Sequence, residues 1–115
     1  AVQGIPVCFD AKECVADTFP LQNIHEHQIQ FMINFEKQDG LAFILIYYSA
    51  KNILYYMRLE ELLVFWKRAK EGGRKSFRLE ELDDRFFMEF HHGCYVPYLD
   101  AINVDLELRE ELDKE

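Results

Sequence analysis

At 115 residues, half of them hydrophobic and 15% aromatic, the chain holds enough apolar material for one packed domain, is too short for two, and is not composed like a disordered tract. No apolar run approaches the length of a membrane span, and the first residues lack a signal-peptide pattern. A formal net charge of −8 argues, for the chain taken whole, against a nucleic-acid binder.

Gly4-Ile5-Pro6 reads as the exit of a turn, and residues 7–12 as a strand rich in β-formers. Residues 16–23, with Pro20, read as a loop. Residues 24–37 predict a helix whose inward stripe is Ile24, Gln28, Phe31, Met32 and Phe35, at spacings of three and four, with Gly40 as its stop. Leu41–Tyr48 is apolar throughout and predicts a strand covered on both faces. A turn over 49–52 leads into a strand over Ile53–Arg58. Residues 59–69 predict a second helix with Leu62, Leu63 and Trp66 inward, ended by Gly72-Gly73. Beyond Ser76 the pattern weakens. Residues 79–83 read as a short helical turn and 86–90 as a strand broken by His91-His92-Gly93. Residues 97–100 read as the start of a last helix that frays into an acidic tail over 105–115, a solvated face or an interaction end. This order predicts one α/β domain, a mixed central β-sheet flanked by helices.

The stretch CFDAKEC, residues 8–14, puts an aspartate and a lysine into what otherwise reads as a buried strand, where unpaired charge is costly. Alternation puts Asp10 and Lys12 on one face and turns Ala11 to the other. Two readings are open. One is an ion pair at a strand edge. The other is the acidic-x-Lys geometry of metal-dependent nucleases. There the carboxylate holds a hard cation such as Mg2+, and the lysine orients a water or stabilises charge on a phosphate. Gln28, a polar residue on the apolar stripe of the first helix, needs partners. It either bonds nearby backbone or faces Asp10 and Lys12.

The charge is uneven. KRAKEGGRKSFR, residues 67–78, sets Lys67, Arg68, Lys70, Arg74, Lys75 and Arg78 against Glu71 alone, a local +5 that the acidic tail hides in the total. The three cysteines, Cys8, Cys14 and Cys94, match no zinc spacing and read as free thiols of a cytoplasmic protein. Cys94 is a nucleophile only if a histidine activates it. His25 and His27, two apart, point to different sides of a helix and read as exposed. Tyr47, Tyr48, Tyr55 and Tyr56 read as core or dimer face before base-stacking groups.

FDAKE at 9–13, FPLQNIHEHQIQFM at 19–32, FW at 65–66 and GGRKS at 72–76 together resemble the RecU-type Holliday junction resolvases of the PD-(D/E)xK nuclease superfamily, from about Gly4 to Ile102. The resemblance implies a restriction-endonuclease-like nuclease core. It implies a homodimeric, Mg2+- or Mn2+-dependent endonuclease that resolves four-way DNA junctions in recombination and repair, with no membrane partner. It assigns Lys12 as catalytic and Asp10, Gln28 and the Ala11 carbonyl to the metal. Aspartate at position 10 departs from the family's usual glutamate. Arg74, Lys75 and Ser76, with Lys67 and Lys70 from the same basic segment, are assigned to DNA. The family's further acidic ligands, basic N-terminal region and junction-inserting stalk have no counterpart in residues 1–115, so the expectation is an N-terminally incomplete nuclease domain. The competing expectation is a nuclease-like module that binds DNA or protein without cutting.

Overall fold

The structure, a computed structural model, describes residues 4–89 together with 105, 106, 108 and 109. The expectations for Phe90, the His91-His92-Gly93 turn, Cys94 and a helix opening at 97–100 lie outside these residues. The elements in chain order are β1 (Val7–Cys14), β2 (Thr18–Pro20), α1 (Glu26–Lys37), β3 (Leu41–Tyr48), β4 (Ile53–Arg58), α2 (Leu59–Lys70), β5 (Ser76–Arg78) and β6 (Phe87–Glu89), with single 3-10 turns at Leu21–Asn23, Leu79–Glu81 and Asp84–Phe86. The main sheet has the order β1-β3-β4-β6. β1 lies parallel to β3, with α1 in the crossover, and the other pairings are antiparallel. This is the predicted mixed α/β sheet.

β3 is the apolar run, and the fold shows why it must be. It is central, and all of its residues except Tyr47 are buried. β4 carries adjacent tyrosines that point to opposite faces by strand alternation. The Tyr55 hydroxyl donates to Glu61 of α2, and the Tyr56 hydroxyl donates to Asp105 at 2.8 Å. The Tyr55 face of the sheet thus meets α2, and the Tyr56 face meets Asp105. Aromatic packing continues on both sides. Phe43 stacks on Tyr56 with ring centroids 4.3 Å apart, and Phe77 lies between Phe19 and Phe65 at 5.1 and 4.8 Å. Such ring pairs add about 0.5–1.5 kcal/mol beyond the area they bury.

Four expectations are corrected. The stretch 16–23 is not all loop. Thr18–Pro20 pairs antiparallel with Ser76–Arg78 as a second, two-stranded sheet, and Pro20 is tolerated because the pair is short and terminal. The first helix begins at Glu26, so its stripe is rotated. Ile29 and Met32 are buried, while Phe31 is 61% exposed. In α2 the core position is taken by Phe65, and Trp66 is half-buried. The start of the acidic tail is not solvated. Asp105 is 2% exposed, with Arg109 Nε 3.0 Å from its Oδ1, and Arg109 reaches Glu36 of α1 at 3.2 Å. A buried carboxylate demands such partners. Among the described residues no helix is long and apolar enough to cross a membrane.

The Tyr56 hydroxyl is a buried donor to a charged acceptor. Tyr56→Phe therefore destabilises the fold by about 1.5–3 kcal/mol. The check is a lower urea midpoint at unchanged denaturant slope; an unmoved midpoint would place Asp105 elsewhere.

Candidate active site

Among the described residues β1 stands at one end of the main sheet, with β3 as its neighbour. Cys8, Asp10, Lys12 and Cys14 share the more covered face, while Phe9, Ala11 and Glu13 turn outward. Asp10 keeps 43% of its side chain exposed and Lys12 23%, and their charged atoms are 3.1 Å apart. The two charges meet each other at the rim of the sheet and remain open to solvent.

Gln28 completes the arrangement. His25 is the N-cap of α1, which makes Gln28 the third helical residue, the position from which a glutamine reaches back to the cap backbone. Its Oε1 accepts the His25 backbone N–H at 3.0 Å. With that oxygen committed, the amide nitrogen faces away from the cap, and Nε2 donates to Asp10 Oδ2 at 2.9 Å. Carboxylate, ammonium and amide thus converge. Both contacts fall on Oδ2, and Oδ1 carries no hydrogen bond among the described residues. Beside them lies a groove of about 300 Å3 with Phe9, Phe31, Met32 and Phe43 among its walls.

Among the described residues no three of His, Cys, Asp and Glu gather as a metal site. A hard cation such as Mg2+ keeps several waters and is held by one or two carboxylates together with substrate phosphates. One half-exposed carboxylate with an uncommitted oxygen meets that requirement at its minimum. Gln28, as oriented, presents a donor rather than a ligand oxygen. Cys8 and Cys14 are free, and burial raises both thiols above their ordinary range, which leaves them poor nucleophiles. His25 and His27 are exposed with stacked rings 5.4 Å apart. Their closeness follows from His25 being the cap rather than a helical residue.

The basic segment divides on inspection. Arg68 turns inward, donating to Glu81 and to the Ser76 carbonyl, each at 2.7 Å. Lys67, Lys70 and Arg78 each sit within 4 Å of a glutamate: Glu71, Glu26 and Glu80. Arg74 and Lys75 are exposed, and neither has an ion pair among the described residues. Their loop is fixed from below. Gly72 adopts a φ of +89°, the Gly73 N–H donates to the Arg68 carbonyl at 2.8 Å, and Leu21 N–H donates to the Lys75 carbonyl at 3.0 Å. A Cβ on Gly73 would lie 2.7 Å from that Arg68 oxygen, so only glycine allows the approach. Ser76 is half-buried in β5, paired with Pro20.

A mixed α/β sheet with an acidic-x-Lys edge strand, an amide clamp from the crossover helix and a braced cationic loop is an architecture compatible with a nuclease core. The family model described as Recombination protein U matches residues 1–104, and the chain belongs to that family, RecU. Three curated relatives are each named Holliday junction resolvase RecU. One from Bacillus licheniformis is 45% identical over 83 residues, covering 71% of this chain and 41% of that protein. One from Bacillus subtilis is 39% identical over 103 residues, covering 89% and 48%. One from Listeria innocua is 35% identical over 113 residues, covering 97% and 52%. The chain spans about half the length of the curated relatives it matches.

The brace beneath the loop is pH-sensitive. Hydrogen bonds from the Arg68 side chain and then the Arg78 backbone push the Glu81 carboxyl down to about 2 from its ordinary 4.5. A depressed folded-state value means the stabilisation is complete above pH 4.5 and fades as pH falls toward 2. The stability gap between wild type and Glu81→Gln, read from paired thermal melts, is therefore small but present near neutrality and closes across that window. A gap constant with pH would disconnect Glu81 from Arg68.

Proposed function

We propose that this chain is the nuclease core of a structure-specific endonuclease that cuts four-way DNA junctions by metal-dependent phosphodiester hydrolysis, in recombination and repair. The observation that carries it is the convergence of Asp10, Lys12 and Gln28 at an edge strand. The relatives' names supply the substrate. Asp10 Oδ1, with the Ala11 carbonyl as a further donor, would hold Mg2+ or Mn2+. Bound there, the ion would lower the pKa of a water and stabilise charge on the phosphate. Lys12 places its ammonium against the negative charge that builds on the phosphate oxygens. Gln28 fixes the rotamer of Asp10. Arg74 and Lys75 take flanking phosphates, with Lys67, Lys70 and Ser76 beside them.

A four-way junction offers two related strands to cut, and a two-fold dimer presents two identical sites, so a homodimer suits the substrate. The free Cys8 and Cys14 suit a reducing, cytoplasmic setting. One observation favours a second reading, a domain that binds branched DNA without cutting: among the described residues Asp10 is the carboxylate that meets Lys12 and Gln28, and no metal-binding cluster of three His, Cys, Asp or Glu forms.

Cleavage of a synthetic four-way junction separates the two. Asp10→Asn and Lys12→Ala each lower the Mg2+-dependent rate by at least about 100-fold while junction affinity stays nearly unchanged, and chelation of the metal stops cutting. Wild-type cutting by both variants would remove these residues from the chemistry, and binding without any cutting by wild type would establish the second reading.

Phosphate contact has its own signature. Arg74→Ala and Lys75→Ala weaken binding to every DNA sequence alike, and each flattens the slope of log affinity against log salt by about one. Unchanged slopes would exclude the loop from the interface.

A further inference from the structure

A groove of about 550 Å3 runs between the last turns of α2 and the segment from Pro20 to Ile24. Leu21 and Ile24, both buried, form its floor with Ala69, and the half-buried indole of Trp66 forms a wall. Lys70 and Lys75 stand on the rim. The Lys70 ammonium lies 5.8 Å from the centre of the Trp66 ring and 3.4 Å from Glu26 Oε1. Lys70 and Glu26 are both well exposed, so their pairing is weak and readily exchanged for another anion.

A duplex presents phosphates and groove edges, and gripping its backbone requires cations but no apolar floor. An apolar protein segment would use the floor but not two ammonium groups at the rim. A ligand that is flat and apolar on its faces and anionic at its sides uses the floor, the indole and both ammonium groups. An unpaired nucleotide has that chemistry: bases stack on aromatic rings whatever their sequence, and cations track the strand.

We propose that Trp66 is the stacking platform for one unpaired base of a bound DNA strand, with Lys70 and Lys75 holding the phosphates on either side of it. The proposal rests on the DNA reading above and extends it to the branch point, where bases lose their stacked neighbours. On binding, Lys70 leaves Glu26 for the incoming phosphate and uncovers the indole face.

Trp66 is the only tryptophan in the chain, so its fluorescence reports on the groove alone. The protein is titrated, without divalent metal, with fluorescein-labelled oligothymidylate and separately with an unbranched duplex of equal length, and anisotropy records binding. The expected result is quenching of Trp66 by oligothymidylate and not by the duplex. Trp66→Ala weakens oligothymidylate binding about tenfold, at least several-fold more than it weakens duplex binding, and Trp66→Phe restores most of the loss. Lys75→Glu, at an exposed position, weakens the same probe without touching the core. Oligothymidylate that binds with no change in Trp66 emission overturns the proposal. So does failure of oligothymidylate to bind, the result expected if the groove instead seats a protein side chain. Junction cutting is scored on the same preparations. Cutting with a silent Trp66 sinks the platform alone, whereas quenching without cutting sinks the nuclease reading alone.

Discussion

The Gln28 amide is held from both ends, and the site follows from that. Its oxygen is committed to the first turn of its own helix and its nitrogen to a carboxylate on the edge strand. A cap residue satisfies a helix-end donor that otherwise needs water. Here the same side chain continues into the Asp10–Lys12 pair, so the position of α1 along β1 and the rotamer of Asp10 are one variable. A carboxylate at the open edge of a sheet would otherwise sample several rotamers. Clamped through Oδ2 alone, it presents a single oxygen in a defined direction.

The composition of β1 differs from that of β3. An interior strand such as β3 cannot afford an ionised group, and its Leu-Ala-Phe-Ile-Leu-Ile run contains none. In β1 the Asp10 and Lys12 side chains stay partly exposed, so the charge pair there loses only part of its hydration. The deeper ionisable groups follow a stricter rule. Asp105 is surrounded by a tyrosine hydroxyl and a guanidinium, and Glu36 takes both that guanidinium and the Ala42 backbone N–H. Several of the acids behind the net charge are thus internal partners rather than a repulsive surface.

What was legible in the sequence was what depends on local pattern. The apolar run of β3, the β4 strand after its turn, the α2 face with Leu62 and the glycines that end it are fixed by periodicity and turn chemistry. β2 and β5 were not legible, because three-residue strands carry too short a pattern and gain their stability from Phe19 stacking on Phe77, residues far apart in the chain. The face of Asp10, Lys12 and Gln28 was readable from strand alternation and a polar residue on an apolar stripe. The position of Gln28 as the reciprocal cap residue is hidden when the helix is read from Ile24, since α1 starts two residues later, at Glu26. HEHQ carried the signal, since a glutamine three residues after a cap is the capping-box spacing. The basic segment was overcounted for a related reason. Glu26 and Glu81, which neutralise Lys70 and Arg68, are 44 and 13 residues away in sequence.

Those same ion pairs bear on how grip and chemistry are coupled. The first turn of α1 sends Gln28 to Asp10 and Glu26 to Lys70, so one turn of helix touches both the candidate catalytic edge and the cationic end of α2. The two contacts differ in kind. The amide contact is half-buried and doubly anchored, whereas the ion pair is exposed and exchangeable. An incoming phosphate can therefore take Lys70 from Glu26 without disturbing Asp10. The loop of Arg74 and Lys75, braced by Arg68, Glu81 and the Gly73 approach, does not depend on that exchange. The chain thus sets a fixed candidate catalytic edge and a fixed pair of cations around one exchangeable lysine. On the proposed function, that division would let a site hold its chemistry constant while it accommodates the variable geometry of a branched strand.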